Sequence, residues 1–342
     1  MSYALSQLGR ERLDDHFAKT ALAYGVNQGN AMAGQQFAAT PSVTQTVIKK
    51  IVETGAGFLA SIATIPVTEI KGQKVLVGVS SRVASRTDTS GSGERTPKNL
   101  LGTSTQDYEL FPTEWDVALK YADIDAWAKF PNFSDLYMQA VREAIANDIL
   151  QAGWSGTSAA ANTNLTTNPL LQDLNIGWLK KIRDFNSGSQ HVIGTSGNPV
   201  QLGGTTFKNL DQLALAAKQK IPPQFRIRGD LVLLVADDVM SNQEDTYYEL
   251  NGNKPTEKAV MSGLITKSYA GMPAIVPPFM PSGTLLVTPL QNLAYYYQDS
   301  SFRRLQRDWP SKNQVQEFNS VNDGYVVQEE LATCLIENIT FA

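Results

Sequence analysis

At 342 residues, with 42% hydrophobic and 18% charged residues, the chain has the length of about two domains and a globular rather than a disordered composition. Its 29 Lys and Arg against 33 Asp and Glu give a net charge of -4, which argues against a dedicated nucleic-acid binder with a basic stripe. The single cysteine, Cys334 in the apolar setting "LATCLIENI", reads as core and makes an internal disulfide impossible.

No stretch reaches the roughly 18 apolar residues of a membrane span. The first 25 residues lack the apolar centre of a signal peptide, so a cytosol-like compartment is expected. Leu5, Leu8, Leu13, Phe17 and Leu22 recur at helical intervals and predict an amphipathic helix. "NQGNAMAGQQFAATPS" reads as a hinge. A second helix is expected from Ser42, with Val43, Val47, Ile51, Phe58, Leu59 and Ile62 on one face and Pro66 as its stop. Neither helix can own a core, so each must lie on something else.

From Val67 the period changes to two: Val75, Val77 and Val79 predict a half-buried strand. "TEWDVALKYADI" alternates as well, with Trp115, Val117, Leu119 and Tyr121 facing one way and Glu114, Asp116 and Lys120 the other. The two runs are expected to form a long hairpin. Between them lies "RTDTSGSGERTPKN", residues 86–99, a polar finger with almost nothing to bury.

"NFSDLYMQAVREAIANDILQAG" predicts the clearest helix, with Asn132 or Ser134 as cap, the stripe Met138, Val141, Ile145, Ile149, Ala152, and Gly153 as stop. "LLQDLNIGWLKKIRDF" suggests a further helical turn, and residues 186–206 read as loop. A second body follows from Phe207: helix in "LDQLALAAKQKI", a stop at Pro222 and Pro223, a buried strand in "DLVLLVADDV", and strand–turn–strand in "GTLLVTPLQNLAYYYQ". The end, "DGYVVQEELATCLIENITF", should be sheet with a helical interruption at Gln328–Leu331. The fold class is therefore α+β.

Catalytic and metal motifs are absent from the sequence. His16 and His191 lie in peripheral segments and read as surface residues. There is no H-E-x-x-H, paired-Cys, EF-hand, P-loop or G-x-S-x-G pattern, so neither metal nor cofactor is expected. "DTSG" at 88–91 departs from the Asp-Thr-Gly order of aspartic proteases and has no second copy. Asp123 with Asp125, and Asp237 with Asp238, read as solvated carboxylates on opposite faces of strands. Tyr295–Tyr297 read as strand packing, and Arg303, Arg304 and Arg307 as a subunit contact or solvated face. What remains is an arm, a hairpin and a long helix whose apolar faces and edges neighbouring copies could cover, as in rings and closed shells.

Six blocks carry a resemblance: "TPSVTQTV" (40–47), "TDTSGSGERTPKN" (87–99), "KYADIDAWAKFPNF" (120–133), "TNPLLQDLNIGWLKKIR" (167–183), "SFRRLQRDWPSKNQVQEFNSVNDGYVV" (301–327) and "CLIENI" (334–339). In order, they resemble the major capsid proteins of contractile-tailed temperate phages of the peduovirus type, from about Thr40 to the end. The resemblance implies the Hong Kong ninety-seven capsid fold. It divides the chain into an amino-terminal arm (1–66), an E-loop hairpin reaching a neighbour (67–122), and a peripheral domain (123–206) with a spine helix at 133–153. An axial domain (207–315) and return strands (316–342) complete it.

In this family the shell of hexamers and pentamers encloses double-stranded DNA and contains a portal. It assembles in the host cytoplasm on a scaffolding protein, with a protease removing an amino-terminal segment and in some cases a decoration protein binding outside. The resemblance thus implies a non-enzymatic virion protein with no membrane association. Arg86, Asp88, Glu94, Arg95 and Lys98 become candidate interface residues at the E-loop tip. Asn27, Gly34, Phe37 and Ala38 mark the candidate cleavage region. Another repeating virion protein, from tail or decoration, is the second reading, and a soluble hydrolase using one Asp pair a distant third.

Overall fold

The computed structural model describes residues 5–23, 36–54, 57–74, 84–90, 92, 94–97, 106–193, 199–204, 206–251 and 268–341. In chain order, α1 (Gln7–Ala23), β1 (Phe37–Ala38), α2 (Pro41–Thr54), β2 (Ala63–Val67) and β3 (Lys71–Lys74) lead toward the finger. Then β4 (Gln106–Glu109), β5 (Phe111–Glu114) and β6 (Val117–Lys120) lead away from it. Helices α3 (Tyr121–Trp127), α4 (Phe133–Ser155) and α5 (Trp178–Asp184) follow, then β7 (His191–Ile193) and β8 (Val200–Leu202). Next come α6 (Leu210–Lys220), α7 (Pro223–Arg226), β9 (Leu231–Val235) and α8 (Asp237–Asn251). Strands β10 (Ser268–Tyr269), β11 (Met272–Ile275), β12 (Leu285–Pro289), β13 (Leu293–Gln298), β14 (Arg303–Trp309), β15 (Gln314–Val327), β16 (Cys334–Glu337) and β17 (Ile339–Phe341) follow, with short 3-10 turns at Leu290–Asn292, Pro310–Lys312 and Glu330–Ala332, the last at the helical interruption expected near Gln328–Leu331.

Two sheets share one contiguous apolar core. The six-stranded sheet, β10-β11-β9-β12-β16-β7, is founded on continuous apolar runs. All five residues of β9, "LVLLV", and of β12, "LLVTP", are buried, as expected for strands covered on both faces. The seven-stranded sheet runs β1-β14-β15-β13-β2, with β5 and β6 also on β15. Its axis is the 14-residue β15, which buries every second residue from Val315 to Asp323. Gln314 pairs with Trp309 of β14 and also with Lys120 of β6, so β15 is flanked on both sides there. Asn313, at φ 52, makes the left-handed turn from β14 into β15.

Helix α4, 23 residues and about 35 Å long, buries Ile145, Ala146, Ile149, Leu150, Ala152 and Trp154. Its far end carries an aromatic stack: Trp154 meets Trp178 edge-on at 5.1 Å, and Trp178 meets Tyr325 at 5.1 Å. Gly153 does not stop the helix, contrary to the sequence expectation. A Cβ there would lie 2.3 Å from Trp178 Cζ3, so the glycine makes room for the indole, and the helix ends at Gly156.

Other expectations are also corrected. Pro66 does not end a helix; it sits inside β2 opposite Tyr297, an edge position that loses no ladder bond. Helix α2 stops at Thr54, and the apolar Phe58, Leu59 and Ile62 instead bury in the turn leading to β2. The run 114–120 does alternate as read, but its strands pair with β15, some 200 residues on, and Tyr121 opens α3. The hairpin is formed by β3 and β4, in register Lys71↔Glu109 to Lys74↔Gln106. The predicted strand residues Val75, Val77 and Val79 lie outside the described residues. The stretch 186–206 contains β7 and β8, which pair with β16 and β17. Asp123, Asp125, Asp237 and Asp238 lie on α3 and α8 rather than on strands.

Candidate assembly surfaces and buried polar centres

The finger is anchored at its base. Lys71 Nζ reaches Glu109 Oε1 at 2.5 Å, and Tyr108 packs edge-on against Tyr296 of β13 at 5.3 Å. Two glycines permit the close approach. A Cβ on Gly72 would lie 2.6 Å from the Tyr108 hydroxyl, and one on Gly324 would lie 2.9 Å from Glu109 O. Further out, Arg86, Asp88, Glu94 and Arg95 are all exposed and none makes an ion pair with another described residue; Lys98 lies outside the described residues. Ser90 N and Oγ donate to Asp88 Oδ1 at 2.9 and 2.6 Å, which lowers the Asp88 carboxyl.

Of the four candidate cleavage residues, Asn27 and Gly34 lie outside the described residues. Phe37 and Ala38 form β1, paired with Arg304 and Arg303 of β14, and Ala39 N donates to Phe302 O at 2.9 Å.

Three buried polar centres have no counterpart in the sequence reading. The first joins α1 to the seven-stranded sheet. His16, expected at the surface, is 1% exposed. Its Nε2 lies 2.7 Å from Glu317 Oε1 and its Nδ1 2.9 Å from Ser134 Oγ. Glu317 accepts from Nε2, and Nδ1 shares a hydrogen bond with the Ser134 hydroxyl. Arg304, expected to be solvated or in a subunit contact, is 8% exposed and donates from Nη2 to Glu317 Oε2 at 2.9 Å. Gln306 Nε2 donates to Glu317 Oε1 at 2.5 Å. Burial pushes the Glu317 carboxyl up, but the Arg304 charge and the His16 and Gln306 bonds outweigh it and hold the group at about 2.

The second centre is Asp323, at 1% exposure. It accepts from Thr113 Oγ1 at 2.6 Å, Tyr295 Oη at 2.9 Å and Asn175 Nδ2 at 3.2 Å. All three donors are neutral, so burial prevails and the carboxyl is pushed up to about 6. The third is Glu337, which takes Arg183 Nη2 at 2.7 Å and sits 2.7 Å from His191 Nε2. Burial opposes its charge, yet His191 and Arg183 hold it at about 2. His191 too is therefore buried rather than superficial.

Both oxygens of each of these carboxylates accept from protein donors. Among the described residues no cluster of three or more His, Cys, Asp or Glu could hold a metal ion, and no helix is long and apolar enough to cross a membrane. Cys334 is buried, as expected, and burial pushes its thiol up to about 12, away from thiolate chemistry. One member of each Asp pair accepts from a backbone amide distant in sequence: Asp125 Oδ1 from Ser6 N at 3.1 Å, and Asp238 Oδ2 from Gly283 N at 2.8 Å.

The chain's relatives agree with this picture of a structural subunit. The sequence profile described as phage major capsid protein, P2 family, matches residues 12–339 and so begins inside α1. The capsid protein of Escherichia phage P2 is 30% identical, covering 98% of this chain and 95% of that protein. The major capsid protein of Serratia phage KSP20 is 29% identical over 99% of this chain and 98% of that protein. A chain of the satellite phage P4 procapsid, solved with its size determination protein, superposes with a TM-score of 0.76 at 31% identity, over 91% of this chain and 95% of that one. A chain from Mycobacterium phage Adephagia shares the fold at a TM-score of 0.51 and 11% identity, over 84% of this chain and 91% of that one. The protein belongs to the P2 family of phage major capsid proteins and has the Hong Kong ninety-seven capsid fold.

Proposed function

We propose that this virion subunit assembles in the host cytoplasm into hexamers and pentamers of a closed head around double-stranded DNA, and that it has no catalytic role. The observation that carries this reading is the contrast within the finger. Its base is pinned to β13 and β15, while Arg86, Asp88, Glu94 and Arg95 stand exposed without a described ion-pair partner. In a shell these charges, with Lys98, set register on an adjacent copy. Each exposed pair contributes about 0–1 kcal/mol, so apolar burial elsewhere supplies the affinity. Expressed with its scaffold, the protein should give closed shells in electron microscopy. Tubes or discrete rings would favour the tail or decoration reading, and a monomer with hydrolytic turnover the enzymatic one.

Domain roles follow the sheets more closely than the sequence order. The axial role fits the six-stranded sheet with α6 and α8, which draws β7 and β16 from outside 207–315. The peripheral role fits α4 with the seven-stranded sheet, which takes β13, β14 and β15. The E-loop is the segment beyond β3 and β4, within 67–122.

An internal scaffold, a maturation protease and a portal are the partners this reading requires; a decoration protein is compatible with it. The pairing of Phe37 and Ala38 in β1 favours removal of an amino-terminal segment upstream of them, in the sequence hinge containing Asn27 and Gly34. Intact-mass analysis of mature particles should show loss of roughly the first 30 residues; retention of Met1 or Ser2 would contradict it.

A further inference from the structure

Helix α1 has too little apolar surface to fix its own position. Leu8 and Leu22 are 44% and 84% exposed, and its large buried apolar residues are Leu13 and Phe17, packed with Tyr121, Ile124, Phe133 and Val315. A helix of 17 residues is marginal by itself in water. Its polar contacts, in contrast, are specific and distributed. Ser6 Oγ donates to Asp125 Oδ1 at 2.5 Å, Arg10 Nη1 to Asp308 Oδ2 at 3.0 Å and Arg12 Nε to Ala128 O at 3.1 Å. Lys19 Nζ lies 3.4 Å from Asp135 Oδ2. At the centre His16 enters the socket of Ser134, Glu317 and Gln306, beneath which Arg304 completes the charge balance. A second key is steric: a Cβ on Gly9 would lie 2.3 Å from Asp125 Oδ1.

We infer that the socket of Ser134, Gln306 and Glu317 is a recognition site for the helix carrying Gly9 and His16, so that α1 stays on the subunit after the backbone behind it is cut. None of these contacts depends on the chain between Ala23 and β1. Scission at the hinge and departure of α1 are therefore separate events, and the apolar face of Tyr121, Ile124, Phe133 and Val315 stays covered between them. The inference draws its place in maturation from the amino-terminal cleavage proposed above, but it concerns the isolated subunit and is tested there.

The test uses the full chain with a site-specific protease sequence placed within residues 27–34. After cutting, the amino-terminal fragment should remain with the body through gel filtration and native mass spectrometry. His16→Ala and Gly9→Ala should each speed its release at least 10-fold, while Leu22→Ala should leave release unchanged. In the uncut chain, His16→Gln should strip hydrogen-exchange protection from residues 7–23 and leave β9 and β12 protected, a readout that holds even where the alanine variants fold poorly. Immediate loss of the fragment from the native sequence, or equal release with and without His16, would overturn the inference. Retention of the fragment by a chain that never forms shells would instead count against the proposed function alone.

Discussion

The two sheets solve the same burial problem in opposite ways. In the six-stranded sheet the central strands are apolar on both faces, and Leu233, Leu234, Leu285, Leu286 and Leu335 are all 0% exposed. In the seven-stranded sheet, β15 interleaves Glu317, Asn319 and Asp323 with Val315 and Val321 on its buried side. Each of these polar residues receives a segment remote in sequence. Glu317 takes His16 of α1, Asn319 Nδ2 donates to Trp115 O, and Asp323 takes Thr113 of β5 and Asn175. Apolar burial is non-directional, so it holds a core together without choosing which segment lies where. Buried hydrogen-bonding groups are costly unless matched, and so they favour one arrangement. The first sheet supplies cohesion, and the second sorts the arm, the hairpin and the loops.

That difference can be broken from either side. Leu286→Ala in the apolar sheet removes buried volume where β9 and β16 close in, and should cost about 3–4 kcal/mol in urea unfolding. Glu317→Gln in the polar sheet withdraws the carboxylate from Arg304 and His16 and should cost about 3 kcal/mol. Its distinguishing mark is local, with α1 losing protection while β9 and β12 keep theirs. A uniform loss of protection with Glu317→Gln would remove the sorting role assigned to the socket.

Acidity sharpens the same contrast, because the polar centres carry opposite signs. Glu317 and Glu337 are held at about 2, below their ordinary 4.5. Their stabilisation is complete above pH 4.5 and is lost as pH falls from there toward 2. Asp323 is raised from 3.8 to about 6, so its contribution is greatest below pH 3.8 and is lost as pH rises through 6. Stability should therefore climb from pH 2 to about 4.5 and decline again by pH 6, with the Asp323 limb worth about 3 kcal/mol. Asp323→Asn should flatten the upper limb and leave the lower one, as read from thermal unfolding across that range. The smallest effect on the subunit is expected at the finger. Arg95→Glu with Lys98→Glu should change unfolding free energy by less than about 0.5 kcal/mol, yet impair shell assembly in electron micrographs.

The sequence was most informative where a single period ran uninterrupted. "LVLLV", "LLVT" and the stripe of α4 announce buried strands and a helix because apolar spacing alone decides their conformation. The finger was legible for the converse reason: 86–97 has nothing to bury, and Arg86, Asp88, Glu94 and Arg95 do stand exposed. Pairing was not legible. "TEWDVALK" shows which residues face inward, but not that its partner is β15 rather than the run across the finger, since alternation carries no address. The polar centres were hidden for the same reason. His16 and Glu317 are 301 residues apart, and a lone histidine among acids and bases looks like a surface residue until the topology places it. One sign was available: β15 alternates on a period that puts Glu317, Asn319 and Asp323 in phase with Val315 and Val321. A charged residue in phase with a buried stripe marks a partner waiting elsewhere in the chain.

The account rests on a subunit folded by its own two sheets that keeps its finger unengaged until another copy supplies a partner. Hydrogen exchange of peptides spanning residues 84–97, compared between dissociated subunits and assembled shells, addresses that directly. Fast exchange in the subunit and marked slowing in the shell is the predicted result. Equal protection in both states would mean that the finger finds its contacts within one chain, or finds none, and would contradict the account.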